Sequence, residues 1–199
     1  MANPSVAIII LAAGASRRMR LPKQLLPFRR KNLLQYTIDE AAESKASTLC
    51  IVLGASADEI RKSIRVQKGS IVMNDSWPEG MSSSIRMGIA SLPSTIDAAI
   101  ISLCDQPHLK SSVFNQLMDA FVSSGKSIVA SEYDGSPGVP ALFANKHFPE
   151  LSALSGDSGA RKIIDAHRGD VELVSFEGGS VDLDTPEEYR QFIVRKFER

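Results

Sequence analysis

Two groups of opposite charge carry the chemistry available to this chain. The first lies near the amino end, where Ala12-Ala13-Gly14-Ala15-Ser16 leads into Arg17, Arg18, Arg20 and Lys23. Side chains this small leave backbone N–H groups approachable, and cations beside them suit a polyphosphate. The cations would offset charge as it builds on a departing phosphate. The same residues also suit an α/β loop that binds nothing, and spacing alone does not separate the two. Two nucleotide fingerprints are excluded: there is no GxxxxGK followed by Ser or Thr, and Gly14 stands alone where GxGxxG needs three glycines.

The second group is acidic. Asp105 follows the apolar run 97–104, and Asp182 and Asp184 alternate near the carboxyl end. Carboxylates so placed can hold a divalent cation against phosphate oxygens. The plainer readings are a loop cap before Pro107 and a solvated pair. Asp182 and Asp184 share one face of an extended piece, and the sequence does not say which points inward.

Between the two groups lies the segment 74–92, NDSWPEGMSSSIRMGIASL. Asn74-Asp75 and Pro78-Glu79-Gly80 are turn residues. One of Ser82, Ser83 and Ser84 is expected to cap the helix carrying Ile85, Ile89 and Leu92. Together with Gly80, these serines also offer hydroxyls and N–H groups at a helix start, where a phosphate or base edge is read.

Positioning these groups requires an α/β frame. The β-branched run 6–11 reads as a buried parallel strand. Further strands are expected at 48–53, 70–73, 97–104, 127–131 and 171–176. Helical spacing marks 33–44, 57–66 and 111–124, with short helices at 147–154 and up to Ala166. Ser111 or Ser112 would cap the helix 111–124 and Gly125 would close it. Asp157 is a candidate cap for the helix ending at Ala166. Pro140 would make 139–143 an edge strand or an irregular extension. Thr185, Pro186 and Glu188 form a capping box for a helix reaching about residue 197. The alternation predicts one domain over residues 1–199, with a mainly parallel twisted sheet and helices on both faces. Ligands of such sheets bind beyond the carboxyl ends of the strands, where the first loop and Asp105 both lie.

The segment 11–23, LAAGASRRMRLPK, resembles the LAAGxSxRMGxPK signature of the molybdenum cofactor nucleotidyltransferases. Arg20 stands where that family usually has Gly, which adopts positive φ freely where Arg does so at a cost. EGMSSS (79–84), LCDQP (103–107), GVPALF (138–143), GDSGAR (156–161) and DLDTPE (182–187) resemble further segments of the family in the same order. The resemblance implies a Rossmann-like enzyme that transfers CMP from CTP, or a nucleotide from GTP, to the phosphate of molybdopterin. Pyrophosphate would leave, and Mg2+ would be the cofactor.

By position, the family's loop residues fall on Leu11, Ala12, Ala13, Gly14 and Ser16, with Gly80, Ser82, Ser83 and Ser84 lining the nucleotide pocket. Arg18 and Lys23 would hold the phosphates, and these two with Asp105 would be catalytic. Asp105, joined by Asp182 or Asp184, would hold the metal. Gln106, Pro140, Ala141, Gly156, Asp157 and Arg161 would face the acceptor. Ala13 places the chain nearer the cytidylyl branch, since a side chain there narrows the pocket in favour of a pyrimidine. The acceptor's phosphate is already ionised at neutral pH, so no general base is needed, and His108 reads as a loop residue. Two other readings stand: a transferase acting on a sugar or alcohol phosphate, and a non-catalytic carrier of the cofactor to a molybdenum hydroxylase partner.

Composition narrows the partners. Lys+Arg and Asp+Glu both number 23, so the net charge is zero, which argues against a general nucleic-acid binder. Cys50 and Cys104 sit in apolar runs, with no CxxC and no Cys/His cluster, so neither a disulfide framework nor a structural zinc site is expected. The opening MANPSVAIIILAAG lacks a basic start, and its apolar run is too short to span a bilayer. The expectation is a cytoplasmic protein without a membrane partner.

Overall fold

The structure is a computed structural model that describes residues 3–19 and 21–197; Arg20, the departure from the family signature, lies outside them. Its elements begin with strand β1 (Val6–Ala12), the ribbon strands β2 (Pro27–Phe28) and β3 (Lys31–Asn32), and helix α1 (Leu33–Ala42). Next come β4 (Thr48–Leu53), α2 (Ala57–Lys62), β5 (Ser70–Met73), α3 (Met81–Ala90), β6 (Ala98–Leu103) and α4 (Ser111–Ser124). The chain ends with β7 (Ile128–Tyr133), β8 (Ser136–Ala144), α5 (Phe148–Ser152), α6 (Arg161–Ala166), β9 (Val171–Ser175) and α7 (Pro186–Phe197). Seven strands form one sheet in the order β5-β4-β1-β6-β8-β7-β9. All run the same way except β8, which is antiparallel to both neighbours. The mainly parallel α/β sheet expected from the sequence is present.

β1 shows why an unbroken apolar run is required at the centre. Val6, Ile8 and Ile10 face a core shared with α1, α2 and α4, while Ile9 and Leu11 face a second core with α3, α5 and α6. A strand covered on both faces has no polar side to spare. Gly88 lets α3 lie close on β1, since a Cβ there would stand 2.5 Å from Ile9 Cγ2. Gly88→Ala is therefore expected to cost about 1–3 kcal/mol by overpacking, seen as a lower urea midpoint at unchanged slope.

Five sequence expectations need correction. The segment 139–143 is not at an edge but lies inside the sheet, between β6 and β7. Proline fits there because the register shifts: Ala130 pairs with Ala141 and Ser131 with Gly138, leaving Val139 and Pro140 in a bulge. The Val139–Pro140 peptide is cis. Asp134 and Gly135, both at positive φ, close the β7–β8 hairpin as a two-residue turn.

The other corrections concern helix ends. Gly80, not a serine, occupies the cap position of α3, at φ 110° and with no side-chain cap. No serine hydroxyl caps α4; instead the Ser111 N–H donates to Glu40 Oε2 of α1 at 2.8 Å. Asp157 does not cap α6, which begins at Arg161 after Ala160. α2 stops at Lys62, short of residue 66. The capping box of α7 holds: the Thr185 N–H donates to Glu188 Oε2 at 2.8 Å, and the Glu188 N–H donates to Thr185 Oγ1 at 3.2 Å.

A third apolar cluster fastens the carboxyl-terminal segment beside the first loop. Met19, Leu26, Phe28, Leu33, Tyr36 and Leu183 are buried together, with Tyr189 and Phe192 packed on them. The Tyr189 hydroxyl donates to Pro27 O at 2.7 Å. With Leu183 turned inward, its extended neighbours Asp182 and Asp184 are directed away from that cluster. Cys50 and Cys104 are free and buried. Among the described residues, no helix is long and apolar enough to cross a membrane.

Candidate active site

β1 and β6 are neighbours with Leu11 opposite Leu103, so the loop after one and Asp105 after the other open at the same end of the sheet. A crevice of about 420 Å3 lies there, within the range of small-molecule sites. Most of its lining is apolar, including Leu11, Ala13, Trp77, Pro78, Met81 and Leu103. Arg17, Lys23, Asp105 and Asp157 bring charge to it.

The first loop is held in shape by Gln24, which is 1% exposed. Its Nε2 donates to Ala12 O at 2.8 Å and to Gly14 O at 3.0 Å. Ser16, at φ 51°, donates its hydroxyl to Gln24 Oε1 at 3.4 Å and accepts from the Lys23 N–H at 3.1 Å. The N–H groups of Gly14, Ala15, Ser16 and Arg17 find no acceptor among the described residues. Free N–H groups beside cations make an anion-binding concavity. The sequence reading passed over Gln24; its signal was a polar residue directly before Leu25-Leu26.

Charge in the crevice is arranged around Lys23. Its ammonium donates to Asp105 Oδ2 and, at 3.0 Å, to Asp184 Oδ1. Arg18 Nη2 also meets Asp184, at 2.5 Å from Oδ2. Burial works against the Lys23 charge, but Asp105 and then the other acceptors outweigh it and hold its pKa above the ordinary value. Burial likewise opposes ionisation of Asp184, yet Lys23 and Arg18 bring its pKa below the usual one. The Cys104 thiol is pushed up to about 12 by burial and by the negative charge of Asp105, so it stays protonated and is no nucleophile.

Asp105 is 6% exposed, and its Oδ1 has no hydrogen-bond partner among the described residues. A buried carboxylate oxygen left in this way fits a metal ligand. Among the described residues, Asp105, Asp182 and Asp184 are not a set of three with donor atoms within 4.8 Å of one another. Lys23 is bonded to two of the three.

Asp182 is pushed up to about 6, first by the protein around its carboxyl, then by Asp105 and Asp184; Lys23 opposes them and Glu188 adds slightly. A divalent ion that uses Asp182 must displace this proton. Mn2+ affinity is expected to rise about tenfold from pH 5 to pH 7 and then level off, with Asp182→Asn removing the slope. Electron paramagnetic resonance titrations read it. For stability the sign is the reverse. The folded state holds this proton more tightly than the unfolded chain, so the contribution is complete below the ordinary value of 3.8 and lost as pH rises through about 6.

The remaining expected site residues fall in several places. Gly80 and Ser84 line the crevice with Leu11, Ala12, Ala13 and Gly14, whereas Ser82 and Ser83 are buried behind it. Asn74 Nδ2 donates to Ser83 Oγ at 2.9 Å and to Ser84 Oγ at 3.0 Å, and Arg86 Nη1 donates to Ser82 Oγ at 3.2 Å. Arg17, rather than Arg18, reaches the lining.

The acceptor candidates do not gather on one surface. Gly156 and Asp157 adjoin Gly80, whose added Cβ would stand 2.5 Å from Asp157 Oδ1. Gln106 Nε2 instead braces Val139 O at 3.0 Å and Gly179 O at 2.9 Å. Pro140 and Ala141 are buried in β8, and Arg161 is exposed, 3.8 Å from Asp165. His108 is an exposed turn residue whose ring meets Phe192 edge-on at 5.5 Å. Trp77 and Met81 were not singled out in the sequence, although the single Trp next to Pro78 and Gly80 was a signal. Trp77 reaches its place because Gly54 has no side chain: a Cβ there would stand 2.6 Å from Trp77 Cβ.

Residues 8–171 match the MobA-like NTP transferase domain. The chain is 30% identical over 197 residues to nicotine blue oxidoreductase of Paenarthrobacter nicotinovorans, covering 93% of this chain and 95% of that protein. It is 28% identical to purine catabolism protein PucB of Bacillus subtilis, covering 95% and 96%. Its fold is similar to that of Rv0371c from Mycobacterium tuberculosis H37Rv, with a TM-score of 0.85, 27% identity, and 97% and 100% of the two chains covered. A structure of Rv0371c in complex with manganese is similar at a TM-score of 0.78 and 26% identity, covering 96% and 98%. The matched span takes in the first loop, the Trp77–Ser84 segment and Asp105, and the chain belongs to the family of MobA-like NTP transferase domains.

Proposed function

We propose that this protein transfers CMP from CTP to the phosphate of molybdopterin and releases pyrophosphate. The observation that carries this reading is the crevice itself. Loop N–H groups with no acceptor among the described residues, and two cations, stand beside a buried acid whose Oδ1 likewise has no partner among them. An oxygen of the acceptor phosphate attacks the α-phosphorus, a new P–O–P linkage forms, and the bond to the β-phosphate oxygen breaks. Such a reaction asks the protein for alignment and for compensation of charge.

The N–H groups of residues 14–17, with Arg17 and Lys23, would bind the triphosphate, and Arg18 would support Asp184. Trp77 and Met81 give the base an apolar wall. Ala13, 3% exposed, narrows the space beside it and favours a pyrimidine. Asp105, with Asp182 or Asp184, would hold a divalent ion, Mg2+ in this reading. That ion would neutralise charge on phosphate oxygens. Rv0371c solved with manganese supports a divalent ion in a protein of this fold. Gly156 and Asp157, beside Gly80, are the acceptor-side residues nearest this crevice.

The names of the two curated relatives, an oxidoreductase and a catabolism protein, favour a second reading: the crevice holds the cofactor without transfer, for delivery to a molybdenum hydroxylase. Pyrophosphate release with each of the four nucleoside triphosphates, with and without molybdenum cofactor, separates the readings. The expected result is release with CTP that depends on both cofactor and divalent ion. Preference for GTP would move the chain to the guanylyl branch, and release with sugar or alcohol phosphates would change the acceptor. Cofactor binding with no release under any nucleotide would overturn transfer in favour of the carrier.

A further inference from the structure

The end of the sheet opposite the crevice holds a second set of ligand-type side chains. His147 follows β8, Glu150 lies within α5, and His167 follows α6. β8 places Ala144 beside Ala98, the first residue of β6, whereas Asp105 comes after the last. Six residues of strand span about 20 Å, so the two places are well apart. One donor atom from each of His147, Glu150 and His167 lies within 4.8 Å of the others. Glu150 stands between the rings: Oε1 is 3.2 Å from His147 Nδ1 and Oε2 is 2.8 Å from His167 Nε2.

The hydrogen bonds behind His147 fix where its first proton sits. The Ser127 hydroxyl, which has one hydrogen, donates it to the Asp170 carboxylate. Hydrogen bonds from Ser127 and then Lys146 hold that carboxyl well below the usual range, so it is ionised and only accepts. Ser127 Oγ therefore accepts from His147 Nε2, 2.8 Å away. With a proton on Nε2, His147 has Nδ1 left to face Glu150 Oε1, as a site for a second proton or for a metal ion. A divalent ion at that position would meet the ring nitrogen and the carboxylate together, in place of a proton.

We propose that His147, Glu150 and His167 form a binding site for a zinc-class divalent ion, separate from the crevice. Two imidazoles and one carboxylate suit Zn2+ and its neighbours rather than Mg2+, which prefers oxygen ligands. Ligands about 2.1 Å from a tetrahedral ion stand about 3.4 Å apart, close to the two separations involving Glu150. The His–His edge closes by at most about 1.4 Å, which rotation of His167 supplies. Ser127 and Asp170 fix the His147 tautomer from behind, as supports of metal-binding histidines do. His147 is 3% exposed, while the side chains of Glu150 and His167 are 43% and 34% exposed, leaving a path for the ion and room for water. The ion would tie α5 to the end of α6 and, through Ser127 and Asp170, to the starts of β7 and β9. Spacing rules tuned to Cys/His clusters do not see this set, because folding rather than sequence brings His167 to the other two.

The test uses the full chain, stripped with a chelator and titrated with Co2+ and then Zn2+. Expected are one Co2+ with the strong visible bands of a low-coordinate site, their loss to Zn2+, and a raised thermal midpoint with Zn2+. Asp105→Asn, which alters only the crevice, should leave the bands, their loss to Zn2+ and the part of the midpoint rise that Glu150→Gln abolishes unchanged. Glu150→Gln and His167→Gln, at partly exposed positions where folding should be unaffected, should weaken binding by at least about 100-fold, and Ser127→Ala by about 10–100-fold. Absence of bands and of any midpoint shift overturns the proposal, as do bands that survive His167→Gln but vanish with Asp105→Asn. So does an NMR spectrum in which His147 keeps protons on both nitrogens with Zn2+ present.

Discussion

Asp105→Asn is expected to lower divalent-dependent pyrophosphate release by at least about 1,000-fold, equivalent to about 4 kcal/mol of transition-state stabilisation. The change is isosteric and leaves an oxygen to accept from Lys23, so the fold should be retained. What disappears is the anionic Oδ1, buried and without a partner among the described residues. A neutral amide there cannot offset the charge of a divalent ion, and its NH2 group can present hydrogens where a ligand oxygen is needed. Release assays at saturating Mg2+, with a circular dichroism check of folding, give the answer. Activity within tenfold of the parent would remove Asp105 from the proposed mechanism.

Lys23→Met should act twice. Transfer is expected to fall by about 100- to 1,000-fold in kcat/KM, the scale for losing one preorganised charge-stabilising donor. Stability should fall as well, by about 3 kcal/mol, because Asp105 is left buried without its cation. The Lys23 ammonium competes with a metal ion for the Asp105 and Asp184 oxygens. Mn2+ is therefore expected to bind the variant at least as tightly as the parent and to restore part of the lost urea midpoint. Lys23→Arg should rescue stability more than transfer, since a planar fork does not replace a compact ammonium in a confined space. Full activity in the Met variant would sink the assignment.

The frame was legible because its signals are local and redundant. Six apolar runs became strands of the sheet, and the 182–188 segment announced its helix start through Thr185, Pro186 and Glu188. Misreadings arose where tertiary structure decided. Pro140 argued for an edge, yet the β7 register shift made an interior place for it. Three serines looked like caps, yet Gly80 took that position and the serines were drawn inward by Asn74 and Arg86. The crevice was half legible: Ala12, Ala13, Gly14, Lys23 and Asp105 come together as their motifs suggested. Trp77 and Gln24 escaped notice because their roles depend on what lies across from them, not on neighbours in sequence.

The Gln24 amide has a thermodynamic corollary. By fastening two carbonyls of the first loop, it makes the loop's loss of conformational freedom part of folding. A triphosphate then meets a surface already ordered, and its association should carry little entropic penalty from the backbone. Replacing Gln24 with a residue that cannot make those bonds would transfer that penalty to the moment of ligand capture, weakening affinity through entropy while every charged group stayed in place.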